Sequence, residues 1–224
     1  WNANGDSCGS SSIVFPASKG KTTSDIARKI AEYYPEIADF TWPQRGGDAE
    51  RTSFSFQDRR RTERAQKASE PPRESVEAAL EWLHARCGHI KLPTPPVLET
   101  FSRDAIRKSF NEALLNINGD ASPGVPYAQL ARDNKTLFEN YENLVFEMVY
   151  DRMMRIRRST ISDDPRVNID NLLVDPVRVF VKDEPHTATK VKQGRWRLIC
   201  SVSIIDKIIE TMIHKAANTW MIRN

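Results

Sequence analysis

Apolar residues recur at helical spacing along most of this chain. Residues three and four positions apart share one face of a helix, so this spacing predicts helices that pack against a core. A shorter helix is predicted from Ser24, which can cap its start, and Pro35, which ends it at Tyr34. The spacing itself predicts four longer helices: Ser75–Cys87, Ser102–Ile117, Lys135–Arg158 and Ile204–Ile222.

Three of the longer helices have a clear apolar side. In the helix capped by Ser102, the side chains expected to be buried are Ile106, Phe110, Ala113 and Leu114. The longest helix carries on one side Leu137, Tyr141, Leu144, Val145, Met148 and Met153. Its C-terminal end carries four arginines that complement the helix dipole: Arg152, Arg155, Arg157 and Arg158. The last helix is expected to bury Ile205, Ile208, Ile209, Met212 and Ile213.

Residues 176–206 have the pattern of two strands joined by a polar turn. Val179 and Val181 alternate with polar neighbours in the first strand, and Leu198 and Ile199 begin the second. We expect this segment, the β-ribbon, to be the main strand pair of a mostly helical α+β fold.

The remaining segments are irregular or polar. Residues 1–39 are expected to form an irregular leader with one short helix, and residues 40–224 the main domain. Within the main domain, Asp58–Lys67 is strongly basic and is interpreted mainly as the solvated face of a helix.

The composition limits the kind of protein. The chain has 224 residues, of which 28% are charged and 39% are hydrophobic, and its formal net charge is +3. With so small an excess of positive charge, affinity for nucleic acid must come from local clusters. Cys8, Cys87 and Cys200 are few and widely separated, which favours reduced thiols in a cytosolic setting. No apolar run approaches the length of a membrane span.

The β-ribbon carries one such cluster of cations: Lys182, Lys190, Lys192, Arg195 and Arg197. Lysine is a point charge, whereas the arginine guanidinium can hold two phosphate oxygens at once. A ribbon with cations on one side and apolar residues on the other is therefore suited to holding a polyphosphate. Exposed basic ribbons are also often only solvated surface, so the pattern alone leaves both interpretations open.

The order of residues in the β-ribbon resembles a family of viral enzymes. It contains Phe-Val-Lys-Asp-Glu-Pro-His, then Lys-Val-Lys-Gln-Gly-Arg-Trp-Arg-Leu-Ile, then Ser-Val-Ser-Ile-Ile-Asp. This series is similar to the basic fingers motif, motif F, in RNA-dependent RNA polymerases of positive-strand RNA viruses. The sobemovirus and polerovirus polymerases have a similar series, except that an acidic residue is common where this chain has Gln193. The resemblance implies an N-terminal fingers fragment of a right-hand polymerase (residues 40–224), cut from a polyprotein whose junction includes residues 1–39.

The resemblance also implies roles for the five cations. Lys182 and Arg197 match positions that contact the triphosphate of the incoming nucleotide, and we assign Arg195 to NTP binding with them. Lys190 and Lys192 match flanking cations along the channel, and we assign them to template RNA.

Two further segments are similar to this family. Trp42-Pro-Gln-Arg-Gly46 resembles a Trp-Pro-x-Arg-Gly segment near the start of sobemovirus-like polymerases. Ala121–Tyr127 resembles the motif G loop, Ser-x-Gly-x-Pro. In this loop Gly124 would allow close approach of a nucleic-acid backbone, and Ser122 would hold template phosphates, so both are assigned to template binding.

The resemblance further implies that the catalytic palm motifs are absent. Two-metal nucleotidyl transfer requires carboxylates that converge on two cations, yet neither Asp-x4-Asp nor Gly-Asp-Asp follows residue 206. We therefore expect no catalytic or metal-binding residue here, Mg²⁺ held outside this chain, and no activity of the chain alone. Asp163-Asp164 precedes Pro165 and is interpreted as a turn. Asp183 and Glu184 are expected to orient the cations by ion pairs rather than bind metal.

The implied partners are RNA template, NTPs, the palm and thumb of the polymerase, and a genome-linked protein primer. The implied location is the host cytoplasm, in viral replication complexes, with no transmembrane segment.

Two alternative functions stay open. A non-catalytic RNA-binding module of viral origin would need the basic ribbon but no palm. Gly5-Asp-Ser-Cys-Gly9 resembles the nucleophile loop of chymotrypsin-like proteases, so the leader could be a protease remnant, although no His and Asp partners precede it. His84, Cys87 and His89 are close in sequence but too few for a structural zinc site.

Overall fold

The computed structural model describes residues 25–43, 46–90 and 94–223. Its α-helices are α1 (Asp25–Tyr33), α2 (Gly47–Lys67), α3 (Arg73–Cys87), α4 (Pro96–Glu99), α5 (Arg103–Leu114), α6 (Asn134–Arg158), α7 (Pro165–Asp170), α8 (Ala188–Lys192) and α9 (Ile204–Arg223). Two 3-10 helices span Pro35–Asp39 and Tyr127–Gln129. The strands are β1 (Phe40–Thr41), β2 (Arg178–Val181), β3 (His186–Thr187) and β4 (Leu198–Ser201), paired as β1 with β3 and β2 with β4. The described chain is thus mostly helical with two small sheets, as the predicted α+β class requires.

The described residues form two compact units. The first unit contains the chain up to Ala68 together with Arg178–Cys200, and the second contains Ser69–Val177 and the chain from Ser201 onward. The sequence predicts a boundary between residues 39 and 40, where the leader would meet the main domain. That boundary concerns the organisation of a polyprotein rather than folded units, so it stays a prediction.

In the first unit, α2 packs against strand β2 of the β-ribbon. Ala49, Val181 and Trp196 form its small buried core, and Val191 and Leu198 pack at the edge of that core. The apolar side of the ribbon is therefore covered by a helix, which leaves its polar side accessible.

The link between the two strands of the ribbon is more ordered than the simple polar turn predicted from sequence. It contains β3, whose residues Thr187 and His186 lie opposite Phe40 and Thr41 of β1 in an antiparallel pair. It also contains the short helix α8, which places Lys190 and Lys192 in its last turn.

Helix α2 begins earlier than the sequence indicated. From the sequence, only Asp58–Lys67 is interpreted as part of a helix, yet the helix starts at Gly47. Gly46 has φ = 116°, a conformation that glycine adopts readily, and this lets the chain turn into the helix. Asp48 and Glu50 in the first turn complement the helix dipole. The basic stretch Asp58–Lys67 is the largely exposed end of the same helix, as predicted.

The second unit is built around α5, α6 and α9. Its core contains Phe110 and Phe146, whose rings meet edge to face with centroids 5.4 Å apart. Ser102 caps α5 by accepting a hydrogen bond from the Ala105 amide, as the sequence predicted. Of the four side chains expected on the buried side of α5, Ile106, Phe110 and Ala113 are buried and Leu114 is partly buried.

Helix α6 departs from the predicted apolar side at two positions. Tyr141 has non-helical backbone angles, φ = −136° and ψ = 20°, so the helix is kinked there. Tyr141 and Leu144, predicted to line the buried side, are exposed, whereas Leu137, Val145 and Met153 are buried. Leu137 before the kink and Val145 and Met153 after it nevertheless belong to one core.

Helices α3 and α9 occur where the sequence predicted them. The side chains of α3 are all exposed, including Leu80 and Trp82. Helix α9 buries Ile205, Ile208, Ile209 and Met212 and partly buries Ile213. Within the described ranges, no helix combines the length and apolar character needed to cross a membrane.

Candidate phosphate-binding site

The β-ribbon places Lys182 and Arg197 side by side. They directly follow β2 and precede β4, and the Lys182 amide donates a 2.7 Å hydrogen bond to the Arg197 carbonyl oxygen. Their neighbours Val181 and Trp196 are buried, and Ser53 on α2 donates a 2.6 Å hydrogen bond to the Trp196 carbonyl oxygen. Because successive side chains on a strand point to opposite faces, the buried neighbours leave the two cations on the accessible side.

Both cations contact one carboxylate. Lys182 Nζ lies 2.6 Å from Glu184 Oε2, and Arg197 Nη1 lies 3.4 Å from Glu184 Oε1. The Lys182 hydrogen bond and the charges of both cations hold the pKa of Glu184 below its usual range. The two side chains predicted to hold a triphosphate therefore already hold an anionic group between them.

The other three predicted cations lie elsewhere on the ribbon. Arg195 is exposed, with its guanidinium carbon 6.0 Å from the centroid of the Phe56 ring. Lys190 and Lys192 are exposed on α8, and neither forms an ion pair with any residue in the described ranges. The structure thus brings Lys182 and Arg197 together, whereas Arg195, Lys190 and Lys192 do not contact Glu184.

His186 lies in β3 beneath these charged groups and is only 5% exposed. Burial lowers its pKa, and the charges of Lys190, Arg197 and Lys182 act in the same direction, against the opposing effect of Glu184. Among the described residues, its Nε2 atom has no hydrogen-bond partner. The histidine of the Glu-Pro-His series is therefore a neutral side chain at pH 7 and does not add to the cationic cluster.

The turn between α8 and β4 requires glycine at position 194. Gly194 has φ = 62°, and a Cβ atom there would lie 2.5 Å from the Thr52 side chain on α2. This close approach holds α2 against the segment that leads into Arg195 and Arg197, and any larger residue would push the two apart.

The loop with Ser122 and Gly124 belongs to the second unit. Gly124 is buried with φ = 73°, and a Cβ atom there would lie 2.6 Å from the Val202 carbonyl oxygen. The Ser122 hydroxyl is exposed and accepts a 3.3 Å hydrogen bond from the Gly124 amide. The close approach to Gly124 that requires glycine is thus made by the chain's own backbone at Val202. The assignment of Ser122 and Gly124 to template RNA stays a prediction.

Sequence reasoning missed a buried ionic cluster in the second unit. Arg152 is predicted, with three other arginines, to complement the dipole at the C-terminal end of α6, but it lies before the last turn and is buried between two carboxylates. Its Nη2 lies 2.8 Å from Asp175 Oδ1 and its Nη1 lies 2.7 Å from Asp206 Oδ1. Burial disfavours the charged guanidinium, but the hydrogen bonds that Arg152 donates to Asp175 and Asp206 outweigh this and raise the pKa of Arg152.

The same cluster ties the start of α9 to the chain before β2. Ser203 Oγ donates to Asp175 Oδ2 at 2.6 Å and accepts from the Asp206 amide at 3.2 Å. Burial and the charge of Asp175 raise the pKa of Tyr127, which ends the predicted template loop, to about 12. The spacing Ser203-Ile-Ile-Asp206 before an apolar run is a helix-capping signal, so part of the cluster could have been found in the sequence.

The carboxylates of the described residues do not form a metal site. No three His, Cys, Asp or Glu side chains in those ranges are grouped so that they could hold an ion. Asp164 caps the short helix α7 by accepting a hydrogen bond from the Arg166 amide, so the segment predicted as a turn is the start of a helix. Ser7 of the protease-like loop lies outside the described residues.

Comparison with known proteins gives concordant matches over most of the chain. A family model described as viral RNA-directed RNA-polymerase matches residues 26–223. The replicase polyprotein P2AB of Southern bean mosaic virus is 34% identical over 216 residues, which cover 94% of this chain and 22% of that protein. Protein P1-P2 of Pea enation mosaic virus-1 is 34% identical over 198 residues, which cover 86% of this chain and 17% of that protein.

A third relative, from Mushroom bacilliform virus, carries the name RNA-directed RNA polymerase. It is 34% identical over 101 residues, which cover 44% of this chain and 24% of the relative. This chain therefore spans about a fifth of the length of the relatives that it matches.

Proposed function

This chain belongs to the viral RNA-directed RNA polymerase family, and we propose that it forms the part of such a polymerase that holds the incoming nucleotide and the template. The predicted family membership is confirmed by the match to residues 26–223. The activity of the whole polymerase, template-directed nucleotidyl transfer in genome replication, is part of the proposal.

The observation that carries the proposal is the meeting of Lys182 and Arg197 at one anionic group. During nucleotidyl transfer, the bond between the α- and β-phosphates breaks and negative charge accumulates on the departing diphosphate. Two fixed cations at that position stabilise this charge in the transition state. A lysine supplies a point charge, and an arginine supplies two parallel donors that match phosphate oxygens.

The remaining cations are assigned to the surroundings of the nucleotide. Arg195 would contribute to NTP binding from the segment between α8 and β4, and Lys190 and Lys192 on α8 would contact template phosphates. The exposure of all three side chains supports this part of the proposal. Ser122 and Gly124 would position the template through its backbone, which gives affinity without selecting a sequence.

The rest of the proposal concerns parts of the polymerase outside this chain. It places Mg²⁺ on carboxylates of the palm, since the described residues offer no site for it. Palm and thumb would be the protein partners, NTPs and RNA the ligands, and a genome-linked protein the primer. The cytoplasmic replication complex of the host cell would be the location.

The test is alanine substitution in a complete polymerase that contains this chain. We expect Lys182→Ala and Arg197→Ala each to reduce kcat/KM for nucleotide incorporation by about 10- to 100-fold, because each removes a charge-assisted contact to phosphate. The measurement is steady-state primer extension on a homopolymer template. Arg73→Ala is the matched control, because Arg73 is exposed and pairs with Glu77 on α3, in the other unit. Unchanged kcat/KM in both ribbon variants would refute the proposal.

A further inference from the structure

Glu184 occupies the position between the two cations that a phosphate would need. Each of its two carboxylate oxygens contacts a different cation, Lys182 or Arg197. The three side chains are partly exposed, with exposed fractions of 28% for Glu184, 37% for Lys182 and 64% for Arg197. A phosphate arriving from solvent can therefore reach this site, but it meets a carboxylate already in place.

The backbone keeps Glu184 close to both cations. The Glu184 amide donates a 3.0 Å hydrogen bond to the Lys182 carbonyl oxygen, and the Lys182 amide donates to the Arg197 carbonyl oxygen. Pro185 follows Glu184 and restricts its backbone to extended conformations. The carboxylate is thus tethered beside the cations at a high effective concentration, even when a ligand displaces it.

We propose that Glu184 is a built-in competitor of the nucleotide triphosphate, so that phosphate ligands bind Lys182 and Arg197 only by displacing its carboxylate. This inference rests on the proposed function of the two cations. It goes further by giving Glu184 a role that opposes phosphate binding. From the sequence, in contrast, Glu184 is expected only to orient the cations.

The physical consequence is an affinity threshold. Displacing Glu184 breaks the same two ion pairs whichever phosphate ligand arrives, so every ligand loses the same factor in affinity. A triphosphate carries several negative charges and regains this loss through its stronger attraction to the cations. An anion of lower charge does not regain this loss, so it is largely excluded from the site that the Glu184 carboxylate occupies.

The test is Glu184→Gln in the complete polymerase, which removes the charge and keeps the size of the side chain. Among the described residues, the Glu184 carboxylate contacts only Lys182 and Arg197, so little else is disturbed. We expect the KM for NTP and the inhibition constant of inorganic diphosphate to fall together, by the same factor of about two to ten. Glu63→Gln is the matched control, because Glu63 pairs with Arg59 on α2 in the same unit, and it should leave both constants unchanged.

Three outcomes would overturn the inference. A rise in KM in Glu184→Gln would show that Glu184 holds the cations in place for the nucleotide. An unchanged KM would show that the carboxylate does not compete at all. A fall much larger for NTP than for diphosphate would indicate a general field effect, which scales with ligand charge. Failure of the proposed function itself is distinguishable, because Lys182→Ala and Arg197→Ala would then leave kcat/KM unchanged.

Discussion

His186 illustrates how burial decides the charge of a single residue within a basic segment. Its side chain is almost fully enclosed, and three cations act on it together with one carboxylate. Enclosure in a low-dielectric environment favours the neutral imidazole, which lowers the pKa. The lowered pKa of His186 therefore favours its neutral form, so the positive charge of this region comes mainly from the lysines and arginines.

The lowered pKa of His186 predicts a dependence of stability on pH. When the folded pKa lies below the ordinary value of 6.5, the contribution to stability is fully present above pH 6.5 and is lost as the pH falls through the folded pKa. We expect the free energy of unfolding of the wild-type chain to decline as the pH falls below about 6.5. The decline should be smaller in His186→Gln, as measured by urea unfolding.

The exposed histidine of α9 provides the control for this prediction. His214→Gln removes a histidine from the surface and should leave the decline as steep as in the wild type. Equal slopes in the wild type and in His186→Gln would contradict the assignment of the pH dependence to His186.

At the scale of the secondary-structure element, the sequence predicted where helices occur but not where a helix is kinked. Ser102 and the spacing of Ile106, Phe110 and Ala113 define α5, because the cap and the apolar stripe are both local in sequence. The kink of α6 at Tyr141 has no comparable signal, since no proline or glycine marks it. Whether an apolar residue such as Leu144 is buried depends on the packing of the helix, which its own spacing does not determine.

The ionic cluster that joins α6 to α9 predicts a large loss of stability when its cation is removed. Arg152→Ala would leave Asp175 and Asp206 facing each other without a counter-charge. Because removing one partner strands a buried charge, we expect the free energy of unfolding to fall by about 3–5 kcal/mol. Urea unfolding followed by circular dichroism measures this change.

A neighbouring arginine of α6 shows what a surface pair contributes. Arg155 pairs with Asp151 at 2.6 Å, one turn apart on the exposed side of the helix. Arg155→Ala should change the free energy of unfolding by no more than about 0.5 kcal/mol. If Arg152→Ala were as mild as Arg155→Ala, the cluster would not be a stabilising connection between the two helices.

At the scale of the whole molecule, the proposed function makes this chain one part of a larger polymerase. It spans about a fifth of the relatives that it matches, and the described residues contain no group of carboxylates able to hold metal ions. Cations that stabilise a leaving group accelerate a reaction only when the nucleophile and its activating groups are also present. Under the proposed function, the contribution of this chain would therefore be electrostatic and would depend on the rest of the enzyme.

This dependence predicts that the 224-residue chain is inactive by itself. Purified chain, supplied with primed template, NTPs and Mg²⁺, should yield no extended primer on a denaturing gel. A complete polymerase containing the chain serves as the positive control in the same assay. Extension by the chain, abolished in its Lys182→Ala variant, would show that the catalytic groups lie within it.

The sequence by itself determined the features that depend on neighbouring residues. Helix spacing, the Ser102 cap and the order of residues in the β-ribbon are local patterns, and that order was sufficient to identify the polymerase family. Tertiary structure decided which charges meet. Lys182, Glu184 and Arg197 converge because β2 pairs with β4, and Arg152 is buried because α6 and α9 pack around Asp175 and Asp206. Sequence spacing does not encode such contacts, since the free energy of a charge depends on its burial and on partners from distant parts of the chain.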